Sequence, residues 1–309
     1  MQLQHLRYFV ALARHRHFAT AASECGVSQP TLSAGLAALE QELGKRLVDR
    51  DRRFIALTPQ GEAILPWAEQ ALGAVRGLAQ AATVSAQALS GEFRLFVIPS
   101  AQPLVGPFGH ALLAAHPGLT LAVTAGTSRE IEHALHANAV DAGITYLDHE
   151  PPTNMLVAPL HHEQYRLIAR TGTGFDQRTT ISWQEAAALP MCLLHQGMQY
   201  RRILDAQFAL NGLSVSPKAI ADNYISLFSL VRSGHFVSIV PDAYAGLFEG
   251  VEWCRFVPIE PEAPVRRMGL VVVSREPLGS MARAGLSIAQ QFDPATLIDE
   301  FYYPSHKSI

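Results

Sequence analysis

A short polar stretch near residue 30 has the chemistry to read a base edge. Ser28, Gln29, Thr31 and Ser33 stand around Pro30, and their hydroxyls and amide both donate and accept hydrogen bonds. A glutamine amide matches the donor and acceptor that adenine shows in the major groove, and Pro30 would lie against the backbone or a thymine methyl. Further on, Lys45, Arg46, Arg50, Arg52 and Arg53 fall within nine residues. Such a cluster suits phosphate oxygens, and Arg50 and Arg53 are expected to hold them. A second group of candidates lies in four segments: Pro99-Ser100-Ala101-Gln102, Gly126-Thr127-Ser128, Gln196-Gly197-Met198-Gln199 and Asp222-Asn223-Tyr224. Each reads as a strand-to-helix turn, where free N–H groups and the helix dipole favour an anion. Ser100, Ala101, Gln102, Thr127, Ser128, Met198, Gln199 and Asn223 are therefore candidates for a small anionic ligand. The competing reading is that these residues only cap their helices.

The elements that must position the first group are legible. Leu6, Phe9, Val10 and Ala13 put one apolar face on a helix over Leu3 to His15. Ala19 to Cys25 is a second short helix. Gly26 supplies the left-handed residue that ends it. Ser28 is a good N-cap and Pro30 suits a first turn. Leu32, Leu36 and Leu39 then face inward, leaving Gln29, Thr31 and Ser33 at the exposed N-terminal end. This is a helix-turn-helix pattern, whose second helix enters the major groove N-terminus first. Val48 to Leu57 reads as a hairpin, or wing, with a basic tip. Thr58 and Pro59 open a helix of ~30 residues and ~45 Å, which is too long for a small domain and suits pairing with a twin from another chain.

From Phe93 onward strands and helices alternate, which implies parallel sheets with helices on both faces. The expected strands are Phe93 to Ile98, Leu119 to Thr124, Val140 to Tyr146, Tyr165 to Ala169, Met191 to Leu194, Lys218 to Ala221, Val237 to Val240 and Met268 to Ser274. Between them lie helices at Pro103 to His116, Ser128 to Asn138, Trp183 to Leu189, Tyr200 to Asn211, Ile225 to Ser233 and Leu278 to Phe292. Two α/β lobes crossed twice, near Leu160–Gln164 and Val265–Gly269, give a periplasmic-binding-protein-like architecture with a hinge. The closing FYYPSHKSI reads as a disordered tail.

The stretch from Leu3 to Gly61 resembles the N-terminal domain of the LysR-type transcriptional regulators. Gly26-Val27-Ser28-Gln29-Pro30, Leu39-Glu40, Leu43-Gly44 and Leu57-Thr58-Pro59-Gln60-Gly61 fall in that family's order without gaps. One departure is Ala34-Gly35, where the family has an arginine and a polar residue. Gly35 lowers helix propensity by about 1 kcal/mol relative to alanine, so a less basic, less rigid recognition helix is expected. The second half resembles the family's effector-binding domain more loosely, through Val140 to Ile144, Leu189-Pro190, Leu210 to Leu213 and Leu230 to Pro241.

The resemblance implies an α winged helix-turn-helix domain over 1–58, a linker and dimerisation helix over 59–89, and an α/β effector domain of two Rossmann-like lobes over 90–309. Lobe I would be about 90–162 with 268–295, and lobe II about 163–267. It also implies a ligand-responsive, sequence-specific regulator and no enzyme. Expected partners are double-stranded DNA, a small organic-acid-like effector between the lobes, further copies of the chain as a homodimer or homotetramer, and RNA polymerase. No cofactor and no membrane contact are expected.

Composition fits this picture. The 309 residues exceed what one core usually holds. Residues 1–90 carry a net charge of +2 and the remainder −5, so overall acidity does not argue against DNA binding. No apolar run reaches the ~20 residues of a membrane span, and no signal-peptide core opens the chain, so a cytoplasmic location is expected. Cys25, Cys192 and Cys254 have no metal spacing. Some members of the family sense oxidants, which makes a Cys192–Cys254 redox switch conceivable, yet nothing beside either signals a lowered thiol pKa. His133 with His136, and His161 with His162, lack further ligands at metal spacing. No Gly-x-Ser-x-Gly, phosphate loop or His-Glu-x-x-His is present. Two rivals remain at this stage. A periplasmic solute-binding protein would lack the helix-turn-helix, and a small-molecule enzyme would need convergent ionisable groups.

Overall fold

The computed structural model describes residues 1–50, 54–83, 89–148 and 150–303. By internal contacts the chain divides into two units, Met1–Gln87 with His133–Val140, and Ala88–Glu132 with Asp141–Ile309.

The first unit contains α1 (Leu3–His15), α2 (Phe18–Cys25), α3 (Gln29–Leu43), β1 (Val48–Arg50), β2 (Phe54–Leu57) and α4 (Pro59–Thr83). Leu6, Phe9 and Leu12 of α1 bury against Ala21 and Ala22 of α2 and Leu32, Leu36 and Leu39 of α3. Gly26, at φ +68°, ends α2, and the Val27 N–H turns back to the Ala22 carbonyl at 3.0 Å. Ser28 caps α3, its hydroxyl accepting from the Thr31 N–H at 3.3 Å.

α3 runs unbroken through Gly35. A Cβ there would stand 2.6 Å from the Tyr8 ring. The glycine is thus a close-approach position for α1, and Tyr8 fills the space a side chain would take.

Glu40 ties α3 to the wing by accepting the N–H groups of Leu47 at 2.9 Å and Val48 at 3.2 Å. β1 and β2 pair antiparallel. The Thr58 hydroxyl donates to the Arg46 carbonyl at 2.6 Å and accepts from the Gly61 N–H at 3.0 Å. It thereby fixes where α4 leaves the hairpin. The expected linker helix is described through Thr83, and residues 84–88 lie outside the described residues.

The second unit starts with β3 (Ser90–Val97), a 3-10 turn (Pro99–Leu104), α5 (Val105–Ala115), β4 (Gly118–Ala125), α6 (Ser128–His136), β5 (Ala142–Tyr146) and β6 (Met155–Glu163). It continues with β7 (Tyr165–Arg170), β8 (Ile181–Ser182), α7 (Trp183–Ala187), β9 (Cys192–Leu194), α8 (Gln199–Leu210), β10 (Ala219–Ala221), α9 (Tyr224–Arg232), β11 (Ser238–Pro241), α10 (Ala243–Leu247) and β12 (Cys254–Glu260). It closes with β13 (Arg266–Val273), α11 (Ser280–Ala289) and α12 (Leu297–Tyr302).

One sheet has the order β4-β3-β5-β13-β6; the other lobe holds β11-β7-β12-β8 and the pair β10-β9. The chain leaves the first sheet at Gln164, between β6 and β7, and returns between β12 and β13. The first sheet is mixed rather than all parallel. β3 pairs parallel with β4 and β5, while β13 runs antiparallel to β5 and β6. The returning strand arrives directly from the other lobe without a helical crossover, so antiparallel pairing is open to it.

The expected disordered tail is also corrected. Phe301 and Tyr302 belong to α12, and the Tyr302 hydroxyl donates to the Pro103 carbonyl at 2.7 Å. Residues 304–309 lie outside the described residues.

Candidate functional site

The N-terminal end of α3 presents Ser28, Gln29, Pro30 and Thr31 exposed, with Ser33 half-buried one turn on. The Ser28 and Thr31 hydroxyls also meet each other at 2.8 Å, so both serve the cap as well as the surface. The leucine edge of α3 is buried. Lys45 and Arg46 are exposed where α3 meets the wing. Arg50 ends β1; Arg53, with Asp51 and Arg52, lies outside the described residues.

In the second unit, a cavity of about 10 Å³ is lined by Ile98, Pro99, Ser100, Thr127, Ser128, Leu194, Met198, Gln199 and Tyr200. That is room for about one water molecule. It brings together the 3-10 turn and the α6 N-terminus from one lobe with the α8 N-terminus from the other. Of the eight sequence candidates, Ser100, Thr127, Ser128, Met198 and Gln199 are in the lining. Ala101 is fully buried beside it and Gln102 is exposed. Asn223 is not in the lining; its side chain caps α9, accepting from the Ser226 N–H at 2.8 Å. Thr127 also has capping work. Its N–H and hydroxyl both donate to Glu130, at 2.7 and 2.8 Å, and these bonds hold the Glu130 carboxyl below its ordinary range.

Sequence reasoning missed the acid behind this cavity. Glu163 ends β6 and is wholly buried. It accepts the Tyr146 hydroxyl at 2.9 and 3.1 Å on its two oxygens. Burial first, and the Asp242 charge second, push its carboxyl well above the usual range. Tyr146 in turn bonds to Ser100. Asp242 pins the crossing between lobes, accepting the Gln164 N–H at 3.1 Å and meeting His161 at 3.0 Å. The Tyr244 hydroxyl spans the lobes to the Pro99 carbonyl at 2.7 Å.

The sequence also gave no sign of a buried arginine, yet Arg201 is buried. It is engaged by Asp205 at 2.8 Å and the Leu194 carbonyl at 2.9 Å, so its charge is already answered outside the cavity. None of the three cysteines lines the cavity. Burial pushes the Cys192 and Cys254 thiols up to about 11. Among the described residues no group of three or more His, Cys, Asp or Glu could hold a metal ion, and no helix is long and apolar enough to cross a membrane.

Two family models match the chain. Residues 3–62 match the family model for the bacterial regulatory helix-turn-helix protein, lysR family, and residues 86–292 match the LysR substrate binding domain. A probable hydrogen peroxide-inducible genes activator of Mycobacterium avium is 32% identical over 268 residues, 86% of each chain. An SDS degradation transcriptional activation protein of a Pseudomonas strain is 31% identical over 307 residues, 96% of each. Among solved structures, a full-length OxyR variant from Pseudomonas aeruginosa gives a TM-score of 0.74 at 24% identity, covering 96% of both chains. Full-length CbnR complexed with its target DNA gives 0.69 at 21% identity, covering 94% of this chain and 99% of that one. At these identities the likeness to solved structures speaks for the fold.

Proposed function

The chain belongs to the LysR family of transcriptional regulators, DNA-binding proteins rather than enzymes, and from that premise we propose how its residues divide the work. Gln29 reads base edges in the major groove, with Ser28, Thr31 and Ser33 beside it and Pro30 against the backbone. Arg50 and Arg53 hold phosphates and set affinity rather than sequence preference. The single observation that carries this reading is the polar, exposed N-terminal end of α3 on a helix whose Leu32, Leu36 and Leu39 are locked inside.

The cleft cavity takes a small organic anion when the lobes part to admit it, since as it stands it has room for about one water. Ser100 and Ser128 supply hydroxyls, and the α8 N-terminus at Gln199 supplies an N–H, while Met198, whose N–H already serves the His195 carbonyl at 3.0 Å, lines the wall. Thr127 contributes less, because its donors already serve Glu130. Effector binding shifts the lobes about Gln164. Two winged helices, paired through α4 in a homodimer or homotetramer, then change their spacing and the bend of the DNA. RNA polymerase is the further partner, and the cytoplasm the working compartment.

A second reading comes from the relatives named as peroxide-inducible activators. Sensing by a thiol needs thiolate character. Here Cys192 and Cys254 are buried with raised pKa, and burial raises Cys25 as well. That favours a non-covalent effector. Gel shifts on fragments of the source genome test the DNA half. Calorimetry against organic acids, with Ser100→Ala as the control, tests the effector half; unchanged binding in that variant would remove the cavity from the account.

A further inference from the structure

Two buried phenol hydroxyls have no hydrogen-bond partner, one on a residue that lines the cavity and one on a residue packed against it from outside the lining. Tyr200, in the lining, and Tyr224, at the start of α9, are 4% and 3% exposed. Their ring centres are 6.3 Å apart. A buried hydroxyl without a partner is a standing cost that native structures seldom leave unmet. A third hydroxyl, Tyr146, is different, since its proton is already committed to Glu163.

We propose that Tyr200 and Tyr224 form the inner wall of the effector site and donate their hydroxyl protons to a carboxylate or carbonyl oxygen of the ligand. This rests on the cavity reading above and names the chemistry of its inner end. The two free groups are proton donors in want of an acceptor. An ammonium would offer only more donors and leave both phenol protons unmet. Burial pushes the Glu163 carboxyl well above its ordinary range, which lessens its opposition to an anion. Ser100, bonded to Tyr146, adds a hydroxyl at the cavity wall. Recognition of an acid through O–H and N–H donors alone also fits the absence of any arginine or lysine from the lining.

The test uses the full chain and a fixed panel of propanoate, pyruvate, alanine, propanamide and propylamine, read by calorimetry. At least one carboxylate should bind the native protein. Tyr200→Phe and Tyr224→Phe should each weaken it by roughly 10- to 100-fold. Glu163→Gln should stay within about threefold, since Glu163 is bonded to Tyr146 and does not line the cavity. Weakening in Ser100→Ala but not in either tyrosine variant would overturn this inference and leave the cavity reading standing. A carboxylate that binds all the variants as it binds the native chain would overturn both. Preference for propylamine, with loss in Glu163→Gln, would make the site a cation site and refute the proposal. Failure of every carboxylate to bind would refute it too, leaving the tyrosine pair to a structural water only.

Discussion

Gly61→Ala probes the joint on which the wing depends. A Cβ at Gly61 would lie 2.0 Å from the Leu47 carbonyl oxygen, against about 3.3 Å for an ordinary C···O contact. The intruded atom is backbone and already accepts the Thr58 N–H at 3.0 Å, so it cannot swing aside as a flexible side chain would. Relief requires α4 to back away, which breaks that bond at about 1–3 kcal/mol. It also breaks the Gly61 N–H bond to the Thr58 hydroxyl, at about 1 kcal/mol, and leaves strain of about 1–3 kcal/mol. Better helix propensity returns about 1 kcal/mol. The net loss is roughly 2–6 kcal/mol, or roughly 8–48 °C in the melting of a domain this size at about 4–8 °C per kcal/mol. Gly77→Ala is the matched control, since nothing stands within 4 Å of its added Cβ. Hydrogen exchange on the full chain should show early opening of Leu47, β2 and the start of α4 in Gly61→Ala alone. Equal protection in the two variants would refute the reasoning.

Three other outcomes are expected. Arg53→Ala should weaken binding to all DNA sequences alike and flatten the salt dependence by about one phosphate contact, measured by titration at several salt concentrations. Glu163, whose folded carboxyl sits above its ordinary 4.5, contributes stability that is complete below about pH 4.5 and is lost as pH climbs toward the folded value, at about 1.4 kcal/mol per unit. Glu163→Gln should therefore lose less thermal stability than the native chain as pH rises above about 4.5, and equal losses would count against the buried acid. Cys192 and Cys254 should resist a thiol reagent until the protein unfolds, and rapid labelling of either in the native state would reopen the thiol reading.

Local signals made the first unit legible. The α1 face repeats at helical spacing, Ser28 is a cap by residue type, and Gly26 and Gly44 stand where left-handed residues close α2 and α3. At Gly35 the sequence speaks only of local propensity, whereas the approach of Tyr8 comes from another helix. In the second unit β6 was missed. Pro159 and the polar run His161-His162-Glu163-Gln164 interrupt its alternation, although the strand, at the sheet edge beside β13, buries Leu160, His161 and Glu163. Missing β6 concealed Glu163, and with it the acid behind the cavity. Tyr200 opens an expected helix and Tyr224 ends a candidate turn; only tertiary packing reveals that their hydroxyls are stranded. Asn223 and Thr127 were chosen for chemistry that their own helices already use.

The central claim is that the end of α3 reads DNA sequence through Gln29. Selection of bound sequences from a randomised pool, run with the native chain and with Gln29→Ala, tests it most directly. The account predicts that preference relaxes at one base pair in each half-site, by about 1–3 kcal/mol, while binding elsewhere in the site keeps its pattern. Identical sequence preferences in the two proteins would contradict it.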